Sequence, residues 1–175
     1  YTIKPTFTIH SDELLPDLFM RRAEAHPDQV VVETRSSVGA VRSMTAAELQ
    51  RQVEYTACGL IGLGVNSGDS VAILASTSFE WMLLDLALLS IGAVTVPIYE
   101  SDSASQIQHI LEDAHVVRVF TATTQQSELV RTVAPAFTRA IESFDQGALR
   151  TIARAARGVS IDDIKERRSS LSSSS

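Results

Sequence analysis

A single cysteine, Cys58, occurs in the 175 residues. That excludes an intrachain disulfide framework and a clustered thiolate metal site, and it fits a reducing compartment, the cytoplasm. The four histidines, His10, His26, His109 and His115, have no zinc-type spacing, so no metal site is expected. Lysine is nearly missing: Lys4 and Lys165 stand alone, neither behind a glycine-rich loop, which rules out a Walker-type phosphate cradle. A Gly-x-Ser-x-Gly hydrolase elbow is absent too. Nor is there an excess of basic charge. Fifteen basic against 21 acidic side chains leave a net charge of -6, a long-range field that repels nucleic acid and anionic membrane, so no nucleic-acid partner is expected. No basic segment leads into an apolar core near the start, so no secretory leader is expected. The one run near membrane-spanning length, Trp81 to Ile98, is interrupted by Asp85, Gly92 and Pro97. It reads as a buried helix followed by a buried strand and not as a transmembrane segment.

What is present is the composition of one compact domain, 45% hydrophobic. The stretch from Gly64 to Tyr99 organises it: a turn at Asn66 to Asp69, an apolar strand over Ser70 to Ala75, a helix-length periodic segment from Phe79 to Ile91, and a second apolar strand over Ala93 to Ile98. Both strands are continuously hydrophobic, as parallel strands covered on both faces must be, and a crossover of this length favours right-handed parallel pairing. Val116 to Thr121 is expected to be a third parallel strand and Arg139 to Phe144 a further short one. The fold class is therefore α/β, a mostly parallel sheet with helices on both faces, and a small N-terminal hairpin from Val30 to Thr34 and Val41 to Met44.

Helix signals follow in order. Ser11 or Asp12 caps a helix over Glu13 to Ala25 with Leu15, Leu18, Phe19 and Arg22 on one face. Thr45 and Glu48 have capping-box spacing ahead of a helix reaching Leu63, with Leu49, Val53, Ala57 and Leu60 inward and Gly64 as its left-handed stop. The spacing recurs at Thr77 with Glu80, Ser103 with Gln106, and Thr123 with Gln126. Ile107, Ile110, Leu111 and Ala114 line the inner face of the next helix. Gln125 to Val133, Gly147 to Arg157, and Ile161 to Arg168 behind Ser160 complete the set. Residues 1–168 read as the α/β unit, and the serine-rich Ser169 to Ser175 as a polar linker or tail.

The chemistry-bearing residues each have a structural account. Gly62, Gly64 and Gly68 miss the dinucleotide spacing and precede a strand instead of following one, so helix termination and a turn explain them. Cys58 lacks an activating base and reads as a buried hydrophobe. Ser76, Thr77 and Ser78 lie at a strand's carboxyl end, where open sheets bind ligands, but capping accounts for them. Asp85 reads as a partly exposed carboxylate and Trp81 as core.

From Thr45 to Thr121 the order of features closely resembles the N-terminal region of the adenylate-forming acyl-CoA synthetases. A helix leads into LGVNSGDSVAI (Leu63 to Ile73), then into a helix opening in Glu80-Trp81, then into GAVTVP (Gly92 to Pro97). Pro97 to Ser101, with Glu80-Trp81, is most similar to the bacterial long-chain fatty-acid branch. The resemblance implies activation of a fatty acid by ATP with magnesium as an acyl-adenylate, then transfer to coenzyme A, in a cytoplasmic enzyme with peripheral contact to the inner membrane. It also implies that the phosphate loop with its lysine, the ribose-binding aspartate and the C-terminal lid belong to the remainder of the synthetase, so no catalytic residue is expected here. By the same resemblance Ile98, Tyr99 and Glu100 approach the pantetheine channel, and Thr121, Ala122 and Thr123 lie near the coenzyme A nucleotide. Tyr99, Glu100 and Thr123 are the candidate cofactor neighbours. Acetate-using relatives have glycines and an arginine where this sequence has Tyr99-Glu100 and Gln125-Gln126, and a large aromatic such as Tyr99 is expected to pack. Two other readings are an assembly module that dimerises or docks onto the rest of a synthetase, and a generic nucleotide-binding α/β domain.

Overall fold

The computed structural model describes residues 15–35, 39–135 and 140–172. In chain order these form α1 (Leu15–Ala25), β1 (Val30–Arg35), β2 (Val41–Thr45), α2 (Ala46–Gly62), β3 (Ser70–Leu74), α3 (Phe79–Ser90), β4 (Val94–Ile98), α4 (Ala104–Asp113), β5 (Val116–Thr121), α5 (Thr124–Val133), β6 (Ile141–Ser143), α6 (Ala148–Ala155) and α7 (Ile161–Ser172). β1 and β2 pair antiparallel as a separate ribbon. The other four strands form a parallel sheet in the order β4-β3-β5-β6.

β3 explains the continuous hydrophobic signal. Val71 and Ile73 point into one core with α2, α3 and α6, while Ala72 and Leu74 point into a second with α4 and α5. All four are at most 1% exposed, and full burial of a side chain the size of Val71, Ile73 or Leu74 stabilises the fold by about 1.5–3 kcal/mol. β4 tolerates a proline because it is an edge. Val94 donates its N–H to Asp69 at 2.8 Å, so alternation turns Val96 and Ile98 toward β3 and Thr95 and Pro97 away from it. The N–H that Pro97 lacks would have pointed off the sheet.

Local signals place most helix ends. Thr45 and Glu48, Ser103 and Gln106, and Thr123 and Gln126 form complete capping boxes. Ser160 accepts from the Asp163 N–H, and Gly64 ends α2 at φ 86°. Gly68, at φ 82°, sits in the turn that Asn66 and Asp69 close on each other.

Two expectations are corrected. The cap of α3 is Ser78, which accepts from the Trp81 N–H, not Thr77 with Glu80; Ser78 is the last extended residue, and adjacent hydroxyl residues do not reveal which one that is. The buried side of α1 is Pro16, Met20 and Ala23, whereas Leu15 is 63% exposed; α1 packs against α2 and α3, and that contact, not the largest side chains, sets its rotation. The residues expected to cap α1, Ser11 and Asp12, lie outside the described residues, as do Glu13, Leu14 and Arg139. α7 runs from Ile161 through to Ser172. Gly62 is the last residue of α2 and, with Gly59, it also lets α6 lie directly on α2. A Cβ on Gly59 would come 2.3 Å from Ile152 Cγ2, and one on Gly62 2.1 Å from the Ala155 carbonyl oxygen.

That contact yields a test. In an open helix Gly→Ala gains up to about 1 kcal/mol. At Gly62 the new methyl meets backbone, and overpacking of this kind costs about 1–3 kcal/mol. Gly62→Ala is therefore expected to lower the urea midpoint; a raised midpoint would show that α6 moves aside freely.

Candidate functional site

The parallel order brings four loops to one edge of the sheet. Ser76 follows β3, Glu100 follows β4, Ala122 and Thr123 follow β5, and Asp145 follows β6. The Glu100 carboxylate accepts from the Ser76 hydroxyl and, at 2.8 Å, from Gln126 Nε2. The Gln126 carbonyl oxygen in turn accepts from the N–H groups of Ala122 at 2.9 Å and Thr123 at 3.1 Å. β3 lies between β4 and β5, so one glutamate and one glutamine strap three loops across the sheet. Asp145 fastens the fourth, accepting from the Thr124 N–H at 2.9 Å and from the Ser143 hydroxyl. Beneath them the Thr121 and Ser127 hydroxyls pair at 2.7 Å in the core.

These bonds fix the charge of the edge. The Ser76 hydroxyl first, then the Gln126 amide, hold the Glu100 carboxyl below its ordinary range. The Ser143 hydroxyl and the Thr124 N–H do the same for Asp145. Both are carboxylates at neutral pH.

A groove of about 500 Å³ opens between the first two loops, lined by Ser76, Thr77, Trp81, Pro97, Tyr99 and Glu100 among others. Trp81 is half-buried, packing on the core and also walling the groove. Tyr99 is not packed as expected: it is 71% exposed, because it lies one residue past an edge strand in a turn closed by its N–H to Asp102 at 2.9 Å. Asp85 is half-buried on α3. Cys58 is 4% exposed, and burial, then the Asp163 and Glu54 carboxylates, push its thiol up, away from any nucleophilic role. Among the described residues no His, Cys, Asp and Glu group could hold a metal ion.

Residues 19–168 match the family model of the AMP-binding enzyme. The chain belongs to the AMP-binding enzyme family. It is 36% identical over 129 residues to the long-chain-fatty-acid CoA ligase FadD15 of Mycobacterium tuberculosis, a match covering 74% of this chain and 21% of FadD15. Among solved structures it resembles a Rhodopseudomonas palustris protein described as a long-chain-fatty-acid CoA ligase, with TM-score 0.64, 27% identity, and coverage of 76% of this chain and 33% of that one. The crystal structure of VinN shares the fold at TM-score 0.70 and 18% identity, over 83% of this chain and 35% of VinN. The chain thus spans about a fifth of the length of the FadD15 relative, and its α/β fold is that of the N-terminal region of adenylate-forming enzymes.

Within this AMP-binding enzyme region, Tyr99 and Glu100 meet at one groove, while Thr123 stands apart on the α5 side of the strap. The donors at the start of α5 are engaged: Thr123 Oγ1 accepts from the Gln126 N–H, and the Thr124 N–H goes to Asp145. With the Glu100 charge alongside, this edge does not suit a phosphate. The groove suits an uncharged polar chain better than an anion. Ser76, Gln126 and Asp145 were not anticipated as one network. The available signal was position, since each stands within a few residues of a strand's carboxyl end, where open sheets gather polar groups.

The depressed carboxyl groups give a pH dependence with a definite sign. Their stabilisation is complete above the ordinary values of 4.5 for Glu100 and 3.8 for Asp145. It is lost as pH falls through the lower folded-state values, because the unfolded chain takes up protons first. Asp145→Ala should unfold at lower urea than the parent at pH 7, and the gap should close below about pH 4. A gap independent of pH would contradict the assignment.

Proposed function

We propose that this chain is the N-terminal part of an ATP-dependent long-chain fatty-acid:coenzyme A ligase, and that it does not activate a fatty acid by itself. The observation carrying the first half is the 36% identity to FadD15; the 27% identity to the Rhodopseudomonas palustris structure supports the same branch. The second half rests on the sequence: two lysines in 175 residues, neither in a phosphate-binding loop. In the complete enzyme ATP, magnesium, fatty acid and coenzyme A are the ligands. This portion contributes a wall of the pantetheine channel at Tyr99 and Glu100, with Thr123 apart from it on the α5 side. We assign the enzyme to the cytoplasm, with peripheral contact to the inner membrane; among the described residues no helix is long and apolar enough to cross a membrane.

A second reading, an assembly module, draws on one feature. The edge of β4, without a neighbouring strand among the described residues, presents Val94, 50% exposed, and beyond it Tyr99, a surface suited to the remainder of a synthetase or to a second copy. Light scattering after size exclusion separates the possibilities, because a strictly monomeric chain at high concentration argues against self-association.

The direct experiment is pyrophosphate release by the purified chain with ATP, magnesium and palmitate. No release above background is expected, with turnover appearing when the same residues are joined to the rest of a synthetase of this branch. Turnover by the isolated chain would overturn the reading.

A further inference from the structure

A second groove, sharing no residue with the first, lies between β2, α2 and α6, with a volume of about 470 Å³. Its origin is in the helix packing. α6 reaches α2 at Gly59 and Gly62, and the same face of α2 toward its start, carrying Gln52 and Tyr55, is left uncovered. The floor is apolar: Met44, Leu83 and Ile152 are buried at 6%, 4% and 1% exposure beneath it. One wall is fixed, because the Tyr55 hydroxyl donates to the Ala153 carbonyl at 2.9 Å and holds the ring between the two helices.

The rim is what selects a ligand. Arg42 and Arg51 both line the groove, and neither guanidinium has a hydrogen-bond or ion-pair partner among the described residues. The one carboxylate at the rim, Glu48, is turned back to accept the Thr45 N–H at 2.9 Å. Two free guanidiniums against one committed carboxylate match a single negative charge better than a polyphosphate, and a guanidinium fork fits a carboxylate with two parallel hydrogen bonds. Grooves of about 300–1,000 Å³ with an apolar lining and a few convergent polar groups are the usual size for small ligands. We propose that this groove binds an amphipathic monoanion, an alkyl carboxylate, with its head at Arg42 and Arg51 and its chain over Met44, Leu83 and Ile152. The site is independent of the carboxyl-edge groove and of the ligase reading.

Titration calorimetry of the 175-residue chain with dodecanoate tests this, with dodecanol and inorganic phosphate as the uncharged and chainless probes. Saturable binding at one site is expected, weakened at least about ten-fold, roughly 1.4 kcal/mol, by the double variant Arg42→Gln/Arg51→Gln. The exposed pair Arg154→Gln/Arg157→Gln removes the same charge elsewhere and should leave binding unchanged. Circular dichroism verifies that both variants are folded, as substitution of exposed, unpaired side chains leads one to expect. Dodecanol and phosphate should each bind far more weakly than dodecanoate. The proposal is overturned by absence of saturable dodecanoate binding, by equal loss in both arginine pairs, or by binding that the Arg42/Arg51 variant leaves intact. The last result would place the ligand in the carboxyl-edge groove.

Discussion

The structure depends on a central strand that cannot face water on either side. Val71, Ala72, Ile73 and Leu74 are all sealed, so both faces of β3 need cover, and parallel neighbours on each edge leave helices as the means of supplying it. From that requirement follow α2, α3 and α6 on one face and α4 and α5 on the other. It also follows that every β-to-α loop emerges at the same edge. The site is a by-product of that constraint: Ser76, Glu100, Thr123 and Asp145 are far apart in sequence yet neighbours in space because each comes one or two residues after a strand of one parallel sheet.

The polar edge is held by its own members. Glu100 and Asp145 spend their acceptors on Ser76, Gln126, Ser143 and Thr124, and Gln126 spends both ends of its amide. A surface whose donors are already engaged offers little to an incoming anion, and two carboxylates held ionised make it less welcoming still. What remains open is the groove between the loops that follow β3 and β4. The edge therefore contributes shape and exclusion more than charge, consistent with a chain in which lysine is almost absent.

How much of this could be read from the sequence divides by range. Three capping boxes, the Gly64 stop, the Asn66 to Asp69 turn and the apolar strands are decided by residues within a few positions of each other, and they stand where the spacing puts them. Features decided by a distant partner were not legible. The residues around Gly62 do not tell that Ala155 lies against it, and the rotation of α1 is set by the helices beneath it. Tyr99 was expected to pack, although Pro97 two residues before it is a signal that β4 is an edge strand. Glu100 came into view through family resemblance alone, Thr123 through its capping spacing as well, and the strap that joins Glu100 to Gln126 needed the strand order β4-β3-β5, which spacing does not supply.

Tyr99 shows why the carboxyl-edge groove asks for a second body. An acyl-transfer site has to exclude water, since an activated acyl group is otherwise hydrolysed. Here the aromatic ring at the mouth is 71% exposed and the strand beneath it is, among the described residues, an edge of the sheet. A tyrosine left this open carries an apolar ring that gains stability only when something closes over it. If the groove serves the ligase reaction proposed above, its outer wall comes from another part of the enzyme, and Tyr99 is where that part would meet this one. The exposed ring and the absent lysine loop then have one explanation: these residues form one side of a cleft and leave the reactive groups to the other.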